Sequence, residues 1–430
     1  MFAGCRLYHP AGNFDQWRHD LTHRVVVTGA GFYSPVGNNW DTAQERFRSL
    51  ISGIRHMDAW DAYKGLNCHL GAPVMDFELP EHFTRKKTRS MGRIALLATA
   101  ASEKALENSG LLDDPLLSSG RVGVAYGSSA GSTDAVADFG KMLISKSLDS
   151  VNATSYLRMM SHTAPVNIGV YFGLQGRVIT TSSACTSGSQ GIGYAYETIR
   201  NGLQDVMIAG GAEELCPTEA AVFDTLYATS TKNDTPHLTP RPFDRDRDGL
   251  VIGEGACSLV LERLDLAQAR GAKIYAEIVG FGTNSDGNHV TQPSSSTMQR
   301  AIKLALESAE LMPPDIGYVS AHGTATERGD IAESAATHQV FGESIPISSL
   351  KSYLGHTLGA CGALESWFAI EMMNNGWFAP TINLSNLDER CAPLDYIMDQ
   401  GRDMEVDFVM NNNFAFGGIN TSLIFSRFDQ

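Results

Sequence analysis

The segment TTSSACTSGSQGIG, residues 180–193, carries one thiol, Cys185, among small residues. A strand-like apolar run leads into it at 178–181, and a helix-like run leads out at 191–196. A thiol at a helix N-terminus is favoured as thiolate, because unpaired backbone N–H groups and the helix dipole stabilise negative charge. Gly and Ser permit the sharp turn this needs. The alternative, a buried structural cysteine, is the commoner role of a single cysteine. With suitable partners, Cys185 is predicted to be a nucleophile.

Two histidines supply candidate partners. His322 lies in YVSAHGTATERGD (318–330) and His356 in SSLKSYLGHTLGACG (348–362). Each follows an apolar run that ends in small residues, which is typical of a strand opening into a loop. Catalytic groups often lie on such loops because a rigid sheet holds them. A thiol with imidazole partners meets the chemical requirement for acyl transfer through a thioester.

Five further motifs make a family resemblance specific: VVVTGAG (25–31), RPFDRDRDGLVIGEGA (241–256), GTNSDGNHVTQP (282–293), KSYLGHTLGACG (351–362) and NNNFAFGGIN (411–420). Together with the Cys185 loop and AHGTAT (321–326), they occur in the family's order. From about Arg24 to the C-terminus, the chain resembles the elongating, KAS II-like β-ketoacyl-acyl-carrier-protein synthases of the thiolase superfamily. The resemblance implies a thiolase-like five-layer αβαβα fold of α/β class, built from two pseudo-repeated halves.

The resemblance also implies a role for each catalytic residue. Cys185 would accept the acyl chain as a thioester, and the backbone N–H groups of Cys185 and Phe416 would form the oxyanion hole. His322 and His356 would stabilise the enolate formed when malonyl thioester loses CO₂. Lys351 and Glu365 would order the histidines. The product would be a β-ketoacyl thioester two carbons longer.

The same comparison assigns the tunnel that receives the substrate arm. Thr324 and Thr326 alternate in AHGTAT, so both hydroxyls can face one side of an extended segment. In relatives this pair binds the pantetheine amides, and Thr291 is expected near the same tunnel. The loop ATERGD (325–330) is atypical, because Glu327 and Arg328 replace residues that are commonly small or Pro.

The acyl pocket and its gate are predicted from the C-terminal loop and from two earlier segments. Phe414 and Phe416 are the expected gate residues, with Phe223 beside them. Ala415 stands where relatives usually have Gly, and its Cβ restricts the backbone conformations that the gate loop can adopt. Ala130 stands where many relatives have a larger aliphatic residue, so we expect a pocket open to longer or bulkier chains. These departures favour specialised metabolism, such as polyketide or polyene assembly, over fatty-acid elongation.

Composition bounds the class of protein. The chain has 430 residues, is 43% hydrophobic and carries a formal net charge of −15, which argues against general nucleic-acid binding. No apolar run is long enough for a membrane span, and the start lacks a signal-peptide core. Seven cysteines without compact spacing predict neither a disulfide framework nor a zinc site, so a reducing cytoplasm fits best. No metal and no cofactor are expected, since the carrier's phosphopantetheine arm delivers the substrates.

Domain organisation follows the resemblance: an extension at 1–22, a first half at 23–270 containing Cys185, and a second half at 271–430 containing His322, Lys351 and His356. Strand-like and helix-like segments alternate, which indicates layered α/β structure with largely parallel sheets.

TGAG (28–31) lacks the full dinucleotide spacing and is predicted to form a tight turn. The alternating charges of RPFDRDRDG (241–249) predict internal ion pairs. Asp330 and Glu333 are expected to complement a helix dipole.

The predicted partner is an acyl carrier protein, which is itself acidic and so needs a local basic surface. The segment TRKKTRSMGR (84–93) offers one, and the predicted docking residues are Arg85, Lys86, Lys87 and Arg89. A docking position that is basic in relatives is Tyr227 here. A homodimer is expected, or a heterodimer with a related subunit. The main alternative function is a non-catalytic chain-length-factor-like partner, although such subunits usually lose the nucleophile that this chain keeps.

Overall fold

The computed structural model describes residues 22–75 and 77–429. The extension predicted at 1–22 therefore lies outside the described residues, except for Thr22. Within the described part, no helix combines the length and the apolar character needed to cross a bilayer.

Sixteen strands are present in these ranges. They are β1 (Val25–Tyr33), β2 (Arg55–His56), β3 (Leu70–Ala72), β4 (Val122–Gly127), β5 (Val178–Thr180), β6 (Val206–Glu213), β7 (Ile252–Gly253), β8 (Gly255–Arg263), β9 (Ala276–Ser285), β10 (Tyr318–Ser320), β11 (Pro346–Ser348), β12 (Trp377–Phe378), β13 (Asp395–Tyr396), β14 (Arg402–Asp403), β15 (Phe408–Phe414) and β16 (Ile419–Ser426).

Thirteen α-helices accompany them. They are α1 (Trp40–Arg48), α2 (Arg85–Thr88), α3 (Arg93–Ser109), α4 (Thr133–Ser145), α5 (Ser155–Met159), α6 (Thr163–Phe172), α7 (Ser187–Arg200), α8 (Pro217–Asp224), α9 (Leu264–Ala269), α10 (Ser295–Ala309), α11 (Glu327–Phe341), α12 (Lys351–Leu354) and α13 (Cys361–Asn375).

The strands reveal an internal repeat. In the large eleven-stranded sheet, the first half has the order β1-β8-β6-β4-β5 and the second half has β9-β16-β15-β10-β11, with β13 added beside β11. With β13 left aside and the strands numbered within each half, both orders are first, fifth, fourth, second, third. The pairings repeat too: the two joints nearest the first strand are antiparallel and the next two are parallel. The expectation of largely parallel sheets is therefore wrong, because half of each sheet is antiparallel.

The halves are joined and layered around two helices. β1 pairs with β9 antiparallel, with Val25 opposite Ile278. Helices α7 and α13 pack against each other and contact strands of both halves, while α3 and α6 cover the first sheet and α10 and α11 cover the second. This is the predicted five-layer thiolase-like arrangement. The large apolar cluster that includes Ile192, Trp367 and Phe368 fills the middle layer.

The TGAG segment forms no turn. It continues β1, with a register shift between Val27 and Gly29 where the strand pairs with β8. A Cβ on Gly29 would lie 2.4 Å from the Ala105 carbonyl oxygen, and one on Gly31 would lie 2.3 Å from that of Ala101. These glycines therefore let α3 approach the strand closely. The tight-turn prediction is wrong because close packing of a helix, and not a chain reversal, selects glycine here.

The charged segment 241–249 forms the predicted internal ion pairs, between Arg241 and Asp244 and between Arg245 and Asp246. The enclosed Arg247 side chain pairs outside the segment, and its guanidinium lies 2.7 Å from Asp388 and 3.4 Å from Asp330. Asp330 also accepts hydrogen bonds from the backbone N–H groups of Phe243, Thr324 and Ala325. Asp330 lies in the first turn of α11, where its charge complements the helix dipole as expected, and it also anchors two loops.

Candidate active site

Cys185 lies at the junction that its sequence predicts. β5 ends at Thr180, a 3₁₀ turn spans Ala184–Thr186, and α7 begins at Ser187. Ala184 has a positive φ of 53°, which costs a non-glycine residue about 1–2 kcal/mol. The strained turn presents the Cys185 thiol to the protein interior, where the residue is only 4% exposed.

His356 contacts this thiol directly. Its Nε2 lies 3.0 Å from the Cys185 sulfur, and its Nδ1 accepts a hydrogen bond from the backbone N–H of Leu358 at 3.2 Å. A backbone N–H can only donate, so Nδ1 carries no proton in the neutral ring. The proton therefore lies on Nε2, which points at the sulfur.

His322 completes the trio from the opposite side. Its ring centroid is 5.1 Å from that of His356, and the two rings are nearly perpendicular, at 86°. Buried Glu333 holds the loop by accepting the backbone N–H groups of His322 and Gly323, each at 2.7 Å. Glu333, predicted to complement a helix dipole, instead fixes the backbone that presents the His322 imidazole.

A buried polar chain supports His322. The Lys351 ammonium forms an ion pair with Glu365, and both side chains are fully enclosed. The Asn413 amide donates to the other Glu365 oxygen at 2.7 Å and lies 3.5 Å from Nδ1 of His322. The Asn411 amide donates to Oδ1 of Asn413, which fixes the orientation of the Asn413 side chain. His322, like His356, is thus held with Nδ1 as acceptor and Nε2–H as donor.

Burial sets the protonation of the trio. It lowers the pKa of both His322 and His356 well below the usual value, and the nearby Lys351 charge acts in the same direction. Both imidazoles are therefore neutral at pH 7. Burial raises the pKa of Cys185 to about 12, against opposing effects of Lys351 and of hydrogen bonds from the backbone N–H groups of Phe416 and Cys185. The resting residue is a thiol, so the expectation of a thiolate stabilised by the helix terminus is wrong.

Aromatic side chains enclose the trio. The Phe416 ring lies 5.1 Å from that of Phe223, which in turn lies 6.4 Å from the His356 ring. The Phe414 ring lies 6.2 Å from the His322 ring. The gate residues expected from the sequence therefore surround the imidazoles, and the Phe416 N–H reaches the sulfur.

A cavity of 520 Å³ opens onto the trio. The predicted site residues that line it are Cys185, Phe223, Thr291, His322, Thr324, Thr326, His356, Phe414, Ala415 and Phe416. Although residues 324–326 form a loop and not an extended strand, the hydroxyls of Thr324 and Thr326 meet at 2.9 Å. Exposed Arg328 and Tyr227 also line the cavity.

Some predicted residues lie elsewhere. Lys351 and Glu365 lie behind the histidines and do not line the cavity, and neither does Ala130. Ala130 belongs to the loop after β4, which Glu213 holds by accepting hydrogen bonds from Ser128 and from the Ser129 N–H. The basic docking residues are exposed on and beside α2, away from the cavity lining: Arg85, Lys86, Lys87 and Arg89.

Sequence reasoning missed two supporting residues and assigned a third, Glu333, a different role. Glu213, Glu333 and Asn413 are buried polar groups whose hydrogen bonds shape the site. Glu213 links the loop after β4 to the loop after His356, where it accepts the Gly359 N–H at 3.0 Å. The available signal was a polar residue in an otherwise apolar strand, since such residues need a buried partner. Asn413 carries that signal within the run of three asparagines in β15.

Two layered halves that meet at a thiol and two neutral imidazoles define a ketosynthase-type condensing enzyme of the thiolase fold. Residues 22–267 match the family described as Beta-ketoacyl synthase, N-terminal domain, and residues 275–385 match Beta-ketoacyl synthase, C-terminal domain. The chain belongs to the β-ketoacyl synthase family.

Individual relatives agree with this assignment. 3-Oxoacyl-[acyl-carrier-protein] synthase 2 of Vibrio cholerae is 38% identical over 412 residues, covering 94% of this chain and 99% of the relative. A β-ketoacyl synthase structure from Burkholderia phymatum is 57% identical, with a TM-score of 0.94 and coverage of 95% and 100% of the two chains. A chain of the ishigamide ketosynthase/chain length factor structure is 32% identical, with a TM-score of 0.86 and the same coverage.

Proposed function

We propose that this chain is a β-ketoacyl-acyl-carrier-protein synthase. It takes an acyl group onto Cys185 and condenses that group with malonyl-carrier, in fatty acid or polyketide biosynthesis. The observation that carries the proposal is the approach of His356 Nε2 to within 3.0 Å of the Cys185 sulfur, in a cavity that also holds His322.

The first half-reaction loads Cys185. The sulfur, after losing its proton, attacks the carbonyl carbon of the acyl-carrier thioester and forms a tetrahedral oxyanion. The N–H groups of Cys185 and Phe416, which already hydrogen-bond to the sulfur, are oriented to stabilise that charge. The bond to the carrier sulfur breaks, the carrier sulfur takes up the proton that Cys185 lost, and the acyl group remains on Cys185.

The second half-reaction uses both histidines. The malonyl thioester oxygen accepts hydrogen bonds from Nε2–H of His322 and of His356. The bond between the malonyl methylene carbon and the carboxylate can then break, with release of CO₂ and formation of an enolate. The enolate carbon attacks the acyl carbonyl, a carbon–carbon bond forms, and the Cys185 thiolate leaves. Neutral imidazoles suit this role because each keeps a donor proton without adding a charge to the buried site. Lys351 and Glu365 hold the network that orients His322.

The phosphopantetheine arm needs polar contacts along the cavity and a basic surface at the carrier. Thr324, Thr326 and Thr291 are the proposed contacts for the arm's amides, and exposed Arg328 at the mouth suits its phosphate. The basic segment on α2 is the proposed carrier-docking surface. Its chemistry complements an acidic carrier, whereas the chain as a whole is acidic.

We propose that the chain forms a homodimer through the free edge of β5. This strand ends the large sheet and leaves its outer backbone groups unpaired within the described residues, as in strands that add a second chain. Exposed apolar side chains flank it, among them Val178 at 52% and Val170 at 78%. A heterodimer with a related subunit would use the same edge. All six described cysteines are unpaired, which supports the cytoplasm as the working compartment.

Mass spectrometry with a panel of acyl-carriers, followed by malonyl-carrier, tests the function. We expect an acyl adduct on Cys185 and a product two carbons longer, both lost in Cys185→Ala. Cys216→Ala is the matched control, because Cys216 is similarly buried but does not line the cavity. Failure of every donor to label the folded protein would reject the proposal and favour the partner-subunit alternative. The relative extent to which the different acyl-carriers label Cys185 also shows which acyl chain lengths the enzyme prefers.

A further inference from the structure

A second cluster of chemically active side chains lies outside the catalytic cavity. β2 pairs with β3 antiparallel, with His56 opposite Leu70, so the hairpin brings His56 beside His69. A 3₁₀ turn over Asp58–Ala62 carries Asp61 between them. Nε2 of His56 lies 3.5 Å from Oδ1 of Asp61, and Nδ1 of His69 lies 2.6 Å from the same oxygen. Three ligand-type atoms therefore converge on one point.

The outer nitrogens of both rings are already occupied. Nδ1 of His56 lies 3.0 Å from the Asp58 carboxylate, and Nε2 of His69 lies 2.9 Å from the Leu66 carbonyl oxygen. Each of these partners can only accept, so each outer nitrogen bears a proton. The inner nitrogens both face the Asp61 oxygen, and an ion bound between them would take the place of a proton there. Metal-binding histidines show this arrangement, in which a carboxylate or carbonyl accepts the outer N–H.

We propose that His56, Asp61 and His69 bind one divalent transition-metal ion of the zinc type. Two imidazole nitrogens and one carboxylate oxygen form a donor set that such ions prefer, and water would complete the coordination. This set uses none of the cysteines, whose spacing was the basis for expecting no zinc site.

The distances suit such an ion. Ligand atoms around tetrahedral zinc lie about 3.3 Å apart when each bond is about 2.0–2.1 Å. The separation of 3.5 Å between His56 and Asp61 already fits. Nδ1 of His69 and Oδ1 of Asp61 are 2.6 Å apart, so they must separate by under about 1 Å to bind one ion. Rotation of the half-exposed Asp61 side chain can provide this movement. Asp58 acts as a positioning residue through His56.

The hairpin is attached to the wall of the catalytic cavity. Trp60, inside the same 3₁₀ turn, packs in one apolar cluster with Cys185 and Phe223. The backbone N–H groups of Asn67 and Cys68 donate to Asp224 at the end of α8, one residue after Phe223. An ion bound to His56, Asp61 and His69 would therefore stabilise the hairpin that packs behind Phe223, on the side away from the cavity.

Metal titration of the whole protein tests the site. The titration uses a Cys185→Ala background as its parent, because the Cys185, His322 and His356 trio is itself a possible ligand set. Co²⁺ binding is followed by visible absorption, and Zn²⁺ binding by equilibrium dialysis with metal analysis. We expect one equivalent per chain, with a spectrum that lacks a thiolate charge-transfer band. His56→Ala and His69→Ala should weaken binding more than about 100-fold, and Asp58→Asn should weaken it about 10–100-fold.

The matched control is His82→Ala. His82 also pairs with a carboxylate, Glu103, at 2.8 Å, but no third ligand joins this pair among the described residues, so this variant should bind like the parent. Asp61→Asn provides a milder change should an alanine variant unfold, and the thermal midpoint checks each fold. Absence of a bound equivalent in the parent would reject the site. Equal binding by the His56→Ala and His82→Ala variants would reject it too. In either case the three residues are a hydrogen-bonded ion pair cluster only.

Discussion

Asn413→Asp tests whether the buried chain behind His322 fixes its proton. The Asn413 NH₂ group faces Glu365 Oε2 at 2.7 Å and His322 Nδ1 at 3.5 Å. The new carboxyl would share one proton with Glu365 and turn an oxygen lone pair toward Nδ1. His322 would then carry its proton on Nδ1, and Nε2 could no longer donate to the enolate. Loss of one such donor costs about 10²–10³ in rate, or roughly 2.7–4 kcal/mol.

The two half-reactions separate this effect from general damage. Acylation of Cys185 by a synthetic thioester, followed by mass spectrometry, should change by less than about tenfold, because Leu358 fixes His356 independently. Condensation, followed by CO₂ release, should fall by about 10²–10³. Asn412→Leu is the control, since neighbouring Asn412 is buried without a hydrogen-bond partner for its side chain. Equal losses in both half-reactions, or condensation close to the parent's in a folded variant, would refute the reasoning.

Three further changes address the nucleophile, the carrier and the gate. Because burial raises the pKa of Cys185 to about 12, its thiolate fraction should grow about tenfold per pH unit between about pH 6 and 8. The rate of acylation by a small thioester should rise by the same factor. A plateau of that rate in this range would contradict a resting thiol at Cys185. Reversing Lys86 and Lys87 to Glu should raise KM for acyl-carrier and leave acylation by the small thioester nearly unchanged; equal loss of both would exclude docking there. Gly418→Ala would place a Cβ 2.0 Å from a carboxylate oxygen in a backbone with φ of 70°, so steady-state turnover should fall several-fold. The control is Gly140→Ala, in a helix with open space around the residue, and it should leave turnover unchanged. Full turnover by Gly418→Ala would show that the gate loop does not need the backbone conformation that glycine allows at position 418.

Local patterns predicted the elements well where packing follows the period of the sequence. The sequence pattern predicts a helix over 361–375, and α13 spans Cys361–Asn375. Strand-like segments overlap strands of the large sheet at 24–28, 121–126, 176–181, 206–211, 257–263, 274–281, 316–321, 345–349, 407–411 and 421–426. The direction of strand pairing was not predictable, because an apolar run does not encode whether its neighbour is parallel.

Site chemistry was predictable only as far as motif and resemblance reach. Cys185, His322 and His356 were expected together and lie together. The protonation of Cys185 was misjudged, because the sequence shows a helix start but not the loss of solvent around it. Glu213 and Asn413 were missed because their partners come from distant segments, and only tertiary structure reveals which buried polar groups meet.

The repeat has an evolutionary consequence. β1 and β9 are equivalent strands, and their antiparallel pairing is what an approximate two-fold axis between the halves requires. Along that axis the helices α7 and α13 start at Cys185's turn and at Cys361, whose thiol lies 3.2 Å from the Cys185 carbonyl oxygen. The halves are built alike but contribute different groups: the first supplies the Cys185 thiol and the second supplies both imidazoles. Because neither half alone holds all three groups, selection for the site keeps the two halves joined.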